Sequence, residues 1–200
     1  MDASPVCSNL TKFFGYMPCL MELNIGGYLL ESLKMGGLPE NHLIALNNVK
    51  SLTIRRVLFR NVEELIPFGF VIRTQPDHFL IICEGNMDYD VEPAVQYLRD
   101  QSRLHGVVKL LQRVHMNDFN GSKMEMEFLR LILACAPVLE KISIWNYASL
   151  MYPTGTEIMD ELNQVRRASP NVEFIVDAIE LEDDIPIEPP DFVLEDDFDE

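Results

Sequence analysis

The chain has 200 residues, 48% of them hydrophobic, which is enough to bury one sizeable core. Its 32 acidic and 16 basic residues give a formal net charge of -16, but about 12 of the acids, and no base, fall between Asp177 and Glu200. The remaining body is only mildly acidic and lacks the basic excess that would neutralise phosphates, so nucleic acid is excluded as the expected partner. Four cysteines, Cys7, Cys19, Cys83 and Cys135, stand far apart with no CxxC pair, unlike a secreted disulfide scaffold. The opening MDASPVCSNLTKFF has no basic start followed by an apolar segment, and no window reaches the roughly 18 to 20 apolar residues of a membrane span. A location in cytoplasm or nucleus is expected, with no membrane partner.

In chain order, segments with helical spacing alternate with short segments of period two. SNLTKFFGYM, NHLIALNN, VEELIPFGFVIRT, DVEPAVQYLRDQSR, MEMEFLRLILACA and TEIMDELNQVRRAS have helical spacing. Asp90 and Thr156 are candidate N-caps, and Pro93 is tolerated near a helix start because its missing donor would be unpaired there. Pro137 lacks an N–H and disfavours the α region for the residue before it, which ends MEMEFLRLILACA and lets the chain turn into LEKISI.

LEKISI defines a spacing of apolar, two variable, apolar, one variable, apolar. Leu139, Ile142 and Ile144 set it, and Leu20/Leu23/Ile25, Val49/Leu52/Ile54 and Leu111/Val114/Met116 repeat it. A weaker copy, QPDHFLIIC, keeps Pro76, Ile81 and Cys83 and places His78 where an apolar residue belongs; SPNVEFIV keeps Pro170 and Val172 and then departs from the spacing. The copies recur about every 28 to 33 residues, slightly above the leucine-rich-repeat range. Each helix–turn–strand unit has an apolar face that it cannot bury alone, and stacking the units in order buries it. An irregular α/β leucine-rich-repeat solenoid is expected, with a curved parallel sheet, helices on the convex side and a disordered acidic tail. An ordinary doubly wound sheet is the competing fold, and no GxGxxG after a strand supports it.

The run FLRLILACAPVLEKISIW, followed by a helix ending in RRASPNVEFIV, resembles the FBD region at the carboxyl end of many plant F-box/leucine-rich-repeat proteins. Upstream, MPCLMELNIGGYLLESLKMGGLPENHLIALNNVKSLTIRRVLF and DVEPAVQYLRDQS resemble the irregular repeats of that family, so the likeness runs roughly from residue 9 to 176. It implies irregular repeats over 1–109, an FBD-like region continuing them over 110–178, and an acidic tail over 179–200. It further implies a target-recognition part of a substrate adaptor for a Skp-cullin-F-box ubiquitin ligase. No segment here matches an F-box, so a Skp-type linker is an expected partner only if an F-box lies upstream. A stand-alone or decoy interaction protein without ligase attachment is the alternative; an α/β hydrolase-type enzyme is a third.

Candidate chemistry is sparse. His42, His78, His105 and His115 have neither zinc-protease nor zinc-finger spacing, and no metal or other cofactor is expected. Cys135 reads as a buried small hydrophobe, and Ser169, before Pro170, reads as a helix-end residue with no GxSxG turn. An enzyme is therefore not expected. The outward strand positions are the candidate partner-binding face: Asn24, Thr53, Arg55, Arg113, His115, Lys141, Ser143 and Trp145, with Glu22, Ser51 and Asn117 beside them. Charge mixed with one large aromatic suits contact with a target protein of unknown identity, since Trp and Arg often dominate such contacts. Alternatively, Trp145 covers the core edge and the others form a solvated face. The tail LEDDIPIEPPDFVLEDDFDE has too little apolar surface to offset ordering entropy and reads as a solubilising tail or a docking segment for a basic partner.

Overall fold

The computed structural model describes Met17 and residues 19–26, 48–57, 74–83, 92–101, 108–147 and 154–179. Within them lie β1 (Glu22–Ile25), β2 (Ser51–Val57), β3 (His78–Cys83), α1 (Glu92–Gln101), β4 (Arg113–Asn117), α2 (Lys123–Cys135), β5 (Lys141–Tyr147), α3 (Gly155–Gln164) and β6 (Glu173–Ile179). The helices expected over SNLTKFFGYM, NHLIALNN and VEELIPFGFVIRT fall, but for their last residues, outside the described residues. Asp90 and the acidic segment from residue 180 also lie outside them.

All six strands pair in parallel, and their order in the sheet is their order in the chain. Each connection therefore returns the chain to the same end of the sheet before the next strand begins, as parallel pairing requires. Alternation sends Leu52 and Ile54, Phe79 and Ile81, Val114 and Met116, and Ile142 and Ile144 into the core, each at most 1% exposed. Each such burial stabilises by about 1.5–3 kcal/mol before the ordering cost is set against it. Helix α2 covers this inner side with Met124, Phe128, Leu129, Ile132 and Leu133, all fully buried. Phe128 meets Phe79 of β3 edge-to-face at 6.4 Å between ring centroids.

A backbone clasp repeats at the start of each strand after the first. The carbonyl of Met21 accepts from the N–H groups of Lys50 and Ser51, that of Lys50 from Asp77 and His78, and that of Asp77 from Gln112 and Arg113. Gln112 accepts from Glu140 and Lys141 in the same way, and Glu140 from Glu173. The register follows: Ser51 faces His78, His78 faces Arg113, and Arg113 faces Lys141.

This register corrects the third copy. Phe79 and Ile81 occupy the inward positions level with Val114 and Met116, buried Pro76 takes the leading apolar position, and His78 points outward beside Arg113. The apolar spacing starts two residues earlier than a copy led by His78, and strict alternation keeps Phe79, Ile81 and Cys83 inward and His78 outward. Val57 turns inward because β2 bulges at Arg56, with φ 63°: Arg55 pairs with Ile82, and Val57 then pairs with Cys83. The last copy also continues, since Phe174 and Val176 stand level with Ile142 and Ile144 and pack against the core.

The helix ends are set by local chemistry. Ser122 caps α2 in a reciprocal box, accepting from the Glu125 N–H while its own N–H donates to the Glu125 carboxylate at 2.8 Å. The α3 cap is Thr154 and not Thr156: Thr154-Gly-Thr-Glu157 supplies the same box, and Thr156 lies inside the first turn. At the other end of α2, Ala136 is extended (φ -109°, ψ 93°) before Pro137, and its N–H still donates to the Ile132 carbonyl.

Candidate interaction face

Outward residues line up across the sheet in three rows. The first is Glu22, Ser51, His78, Arg113, Lys141 and Glu173; the second is Asn24, Thr53, Leu80, His115, Ser143 and Ile175; the third holds Arg55, Ile82, Asn117, Trp145 and Asp177. Every expected face residue stands in these rows. Asn24, Arg55 and Arg113 are exposed, Thr53, His115 and Lys141 are half-buried, and Trp145 is 47% exposed. Ser143 is the exception, only 3% exposed. Its short side chain lies between the longer His115 and Ile175 of the flanking strands, which corrects its place on the accessible surface.

The fold adds His78, Leu80, Ile82 and Ile175 to the face. The continuous run FLIIC conceals the parity of β3, which only the positions of Phe79 and Ile81 reveal. The cations Arg113 and Lys141 thus stand side by side, with the rings of His78 and His115 next to them on three adjacent strands. Burial lowers the His115 pKa from its ordinary value, and the neighbouring His78, Lys141 and Arg113 lower it further. Lys141 also pairs with Glu173 of β6 at 3.7 Å.

The helix side is tied by charge in a different manner. The Glu127 carboxylate of α2, 5% exposed, accepts from Arg99 of α1 at 2.8 Å and from Arg130 one turn along, and Arg130 also pairs with Glu161 of α3. Glu125 is buried beside Cys83, and burial raises its pKa although Ser122 and Asn120 donate to it. Burial and the Glu125 carboxylate together push the Cys83 thiol well up, and burial alone raises Cys135 to about 11. Neither thiol is poised as a nucleophile.

A recess of about 510 Å³ at the start of α3 is lined by Thr154, Gly155, Thr156, Met159, Asp160 and Val176, with no Cys, His or Ser among them. Among the described residues no three His, Cys, Asp or Glu side chains gather in a possible metal group, and no helix is long and apolar enough to cross a membrane. His42, His105 and Cys7 lie outside the described residues.

Residues 107–144 match the FBD family model, covering β4, α2 and the start of β5. An F-box/FBD/LRR-repeat protein of Arabidopsis thaliana is 22% identical over 169 residues, 84% of this chain and 40% of the relative. The chain resembles plant F-box/FBD/LRR-repeat proteins. It spans about two fifths of the length of that relative. No solved structure matches the chain.

The structure explains the motifs that carry this FBD likeness. Ala168 of RRASPN donates its N–H to the Leu133 carbonyl at 2.8 Å, and Ser169 Oγ donates to the Leu139 carbonyl at 2.7 Å. Both acceptors belong to LACAPVLEKISI or the turn of helix just before it, so the motifs clasp one another. Arg167 lies over the Phe174 ring at 4.6 Å and donates to Asn163 and the Leu162 carbonyl. These are structural contacts on the edges of the core, away from the outward rows.

Proposed function

We propose that this chain is the target-recognition part of an F-box/LRR-type substrate adaptor, built as an irregular leucine-rich-repeat solenoid with helices on its convex side. Its action is binding and not covalent change. The observation that carries this reading is the chain-order parallel sheet, which fixes variable outward side chains in rows while the buried positions stay apolar. Arg113, Lys141, Arg55 and Trp145 supply the charged and aromatic contacts through which a target is chosen. The FBD likeness and the name of the Arabidopsis relative support attachment, through an F-box, to a Skp-cullin-F-box ligase, in cytoplasm or nucleus.

The test compares three forms of the chain as bait. Trp145→Ala and Arg113→Ala, on the face, are expected to reduce capture of a bound target at least about tenfold, the scale of a centrally placed contact, with the melting transition unchanged. A helix-side variant, Lys123→Ala, should leave capture intact. Equal capture by all three, or loss only with the helix-side variant, overturns the reading. Retention of a purified Skp-type linker by the chain decides for ligase attachment over a stand-alone interaction protein.

A further inference from the structure

We propose that the acidic segment following β6, residues 180–200 of this chain, docks on Arg113 and Lys141 of the outward sheet face and competes there with any external ligand. The proposal concerns the face described above and holds whether or not that face also binds a target.

The observations are complementary in charge, chemistry and reach. Arg113 and Lys141 stand level with each other on β4 and β5, two positive charges on one face of a chain whose net charge is -16, with the His78 and His115 rings beside them. Glu173 answers Lys141, but no described carboxylate forms an ion pair with Arg113. The segment that leaves β6 carries acids throughout and no base. It also interleaves Phe192, Val193, Leu194 and Phe198 with those acids, as the face interleaves Leu80, Ile82 and Trp145 with its cations. Mixed acidic and aromatic chains meet mixed cationic and apolar surfaces through both terms at once.

Distance is no obstacle. β4 lies two strands from β6, about 10 Å away at ordinary strand spacing, whereas a fully extended segment of this length reaches on the order of 60 Å. Glu173 and Asp177 on the outer side of β6 repel the segment locally and favour its passage over β5 to Arg113. Tethering raises its effective concentration to roughly the millimolar range, so weak pairwise attractions suffice. A ligand that uses the face must displace the segment first.

Trp145 is the sole tryptophan and lies on the docking path, so its fluorescence reports the contact directly. In the full chain, the acrylamide quenching constant of Trp145 is expected to rise about twofold or more between ~20 mM and ~500 mM salt as screening shortens. At low salt, the double variant Arg113→Glu, Lys141→Glu should show the raised value already. A second variant, with Glu195→Gln, Asp196→Asn, Asp197→Asn, Asp199→Asn and Glu200→Gln, should do the same without touching the sheet, and decides the matter if the first fails to fold. Quenching that ignores both salt and the second variant overturns the proposal. Protection that grows with protein concentration overturns it too, because the segment would then come from a second copy.

Discussion

His115 is half-buried among like charges, and its response to acid can be worked out from them. Its pKa is below the ordinary histidine value, so the unfolded chain takes up the proton more readily than the folded one. The stability contributed by the neutral ring is therefore present above the ordinary value of 6.5 and is lost as pH falls below it. His78, Arg113 and Lys141 face it, and Glu173 reaches the cluster only through Lys141. Glu125 acts in the opposite sense: its raised pKa makes its charged form unfavourable in the fold, so protonating it stabilises the native state. Replacing His115 by Gln should flatten the fall in urea midpoint between about pH 7.5 and about pH 5.5, the window around a free histidine. An unchanged fall would place the acid sensitivity elsewhere.

At the scale of elements, two devices hold the helix layer, and both can be probed separately. Glu127 is shared by Arg99 and Arg130 and is almost wholly buried, so Glu127→Ala should cost about 2 kcal/mol, the scale of a hydrogen bond to a charged group. Glu161, 41% exposed at the outer end of the chain of ion pairs, should cost under about 1 kcal/mol when replaced by Ala. Loss of the Ser122 cap through Ser122→Ala should cost about 1 kcal/mol, read as a drop in the thermal midpoint. The Ser122 and Thr154 boxes are both legible as S-K-M-E and T-G-T-E, although the sequence candidate for α3, Thr156, lies two residues inside the true cap. Pro137 was legible because its effect is local and steric. Glu127 was legible only in part: its i,i+3 partner Arg130 stands in the same segment, but nothing within MEMEFLRLILACA shows that Arg99 of the preceding helix shares it. Ser143 was misjudged for a related reason, since alternation gives the direction of a side chain but not the size of its neighbours on adjacent strands.

For the molecule as a whole, burial is contributed strand by strand along one direction, and the central strands are covered on both flanks. Ile144 of β5 is fully buried between Met116 and Val176, so Ile144→Ala should cost about 3 kcal/mol and raise amide exchange across the sheet. Leu23 of β1, half-buried and paired on one described side, should cost about 1 kcal/mol as Ala, with faster exchange confined to β1 and β2. Equal, sheet-wide effects would mean that the strands unfold as one indivisible unit. The backbone clasp carries a further consequence. Because the start of every strand after the first is gripped by the peptide ahead of its predecessor, alignment is inherited from neighbour to neighbour and does not depend on how much chain is spent in between. Connections can be lengthened or shortened while the outer rows stay in step, so new recognition surfaces can arise by changing loops with the frame left intact.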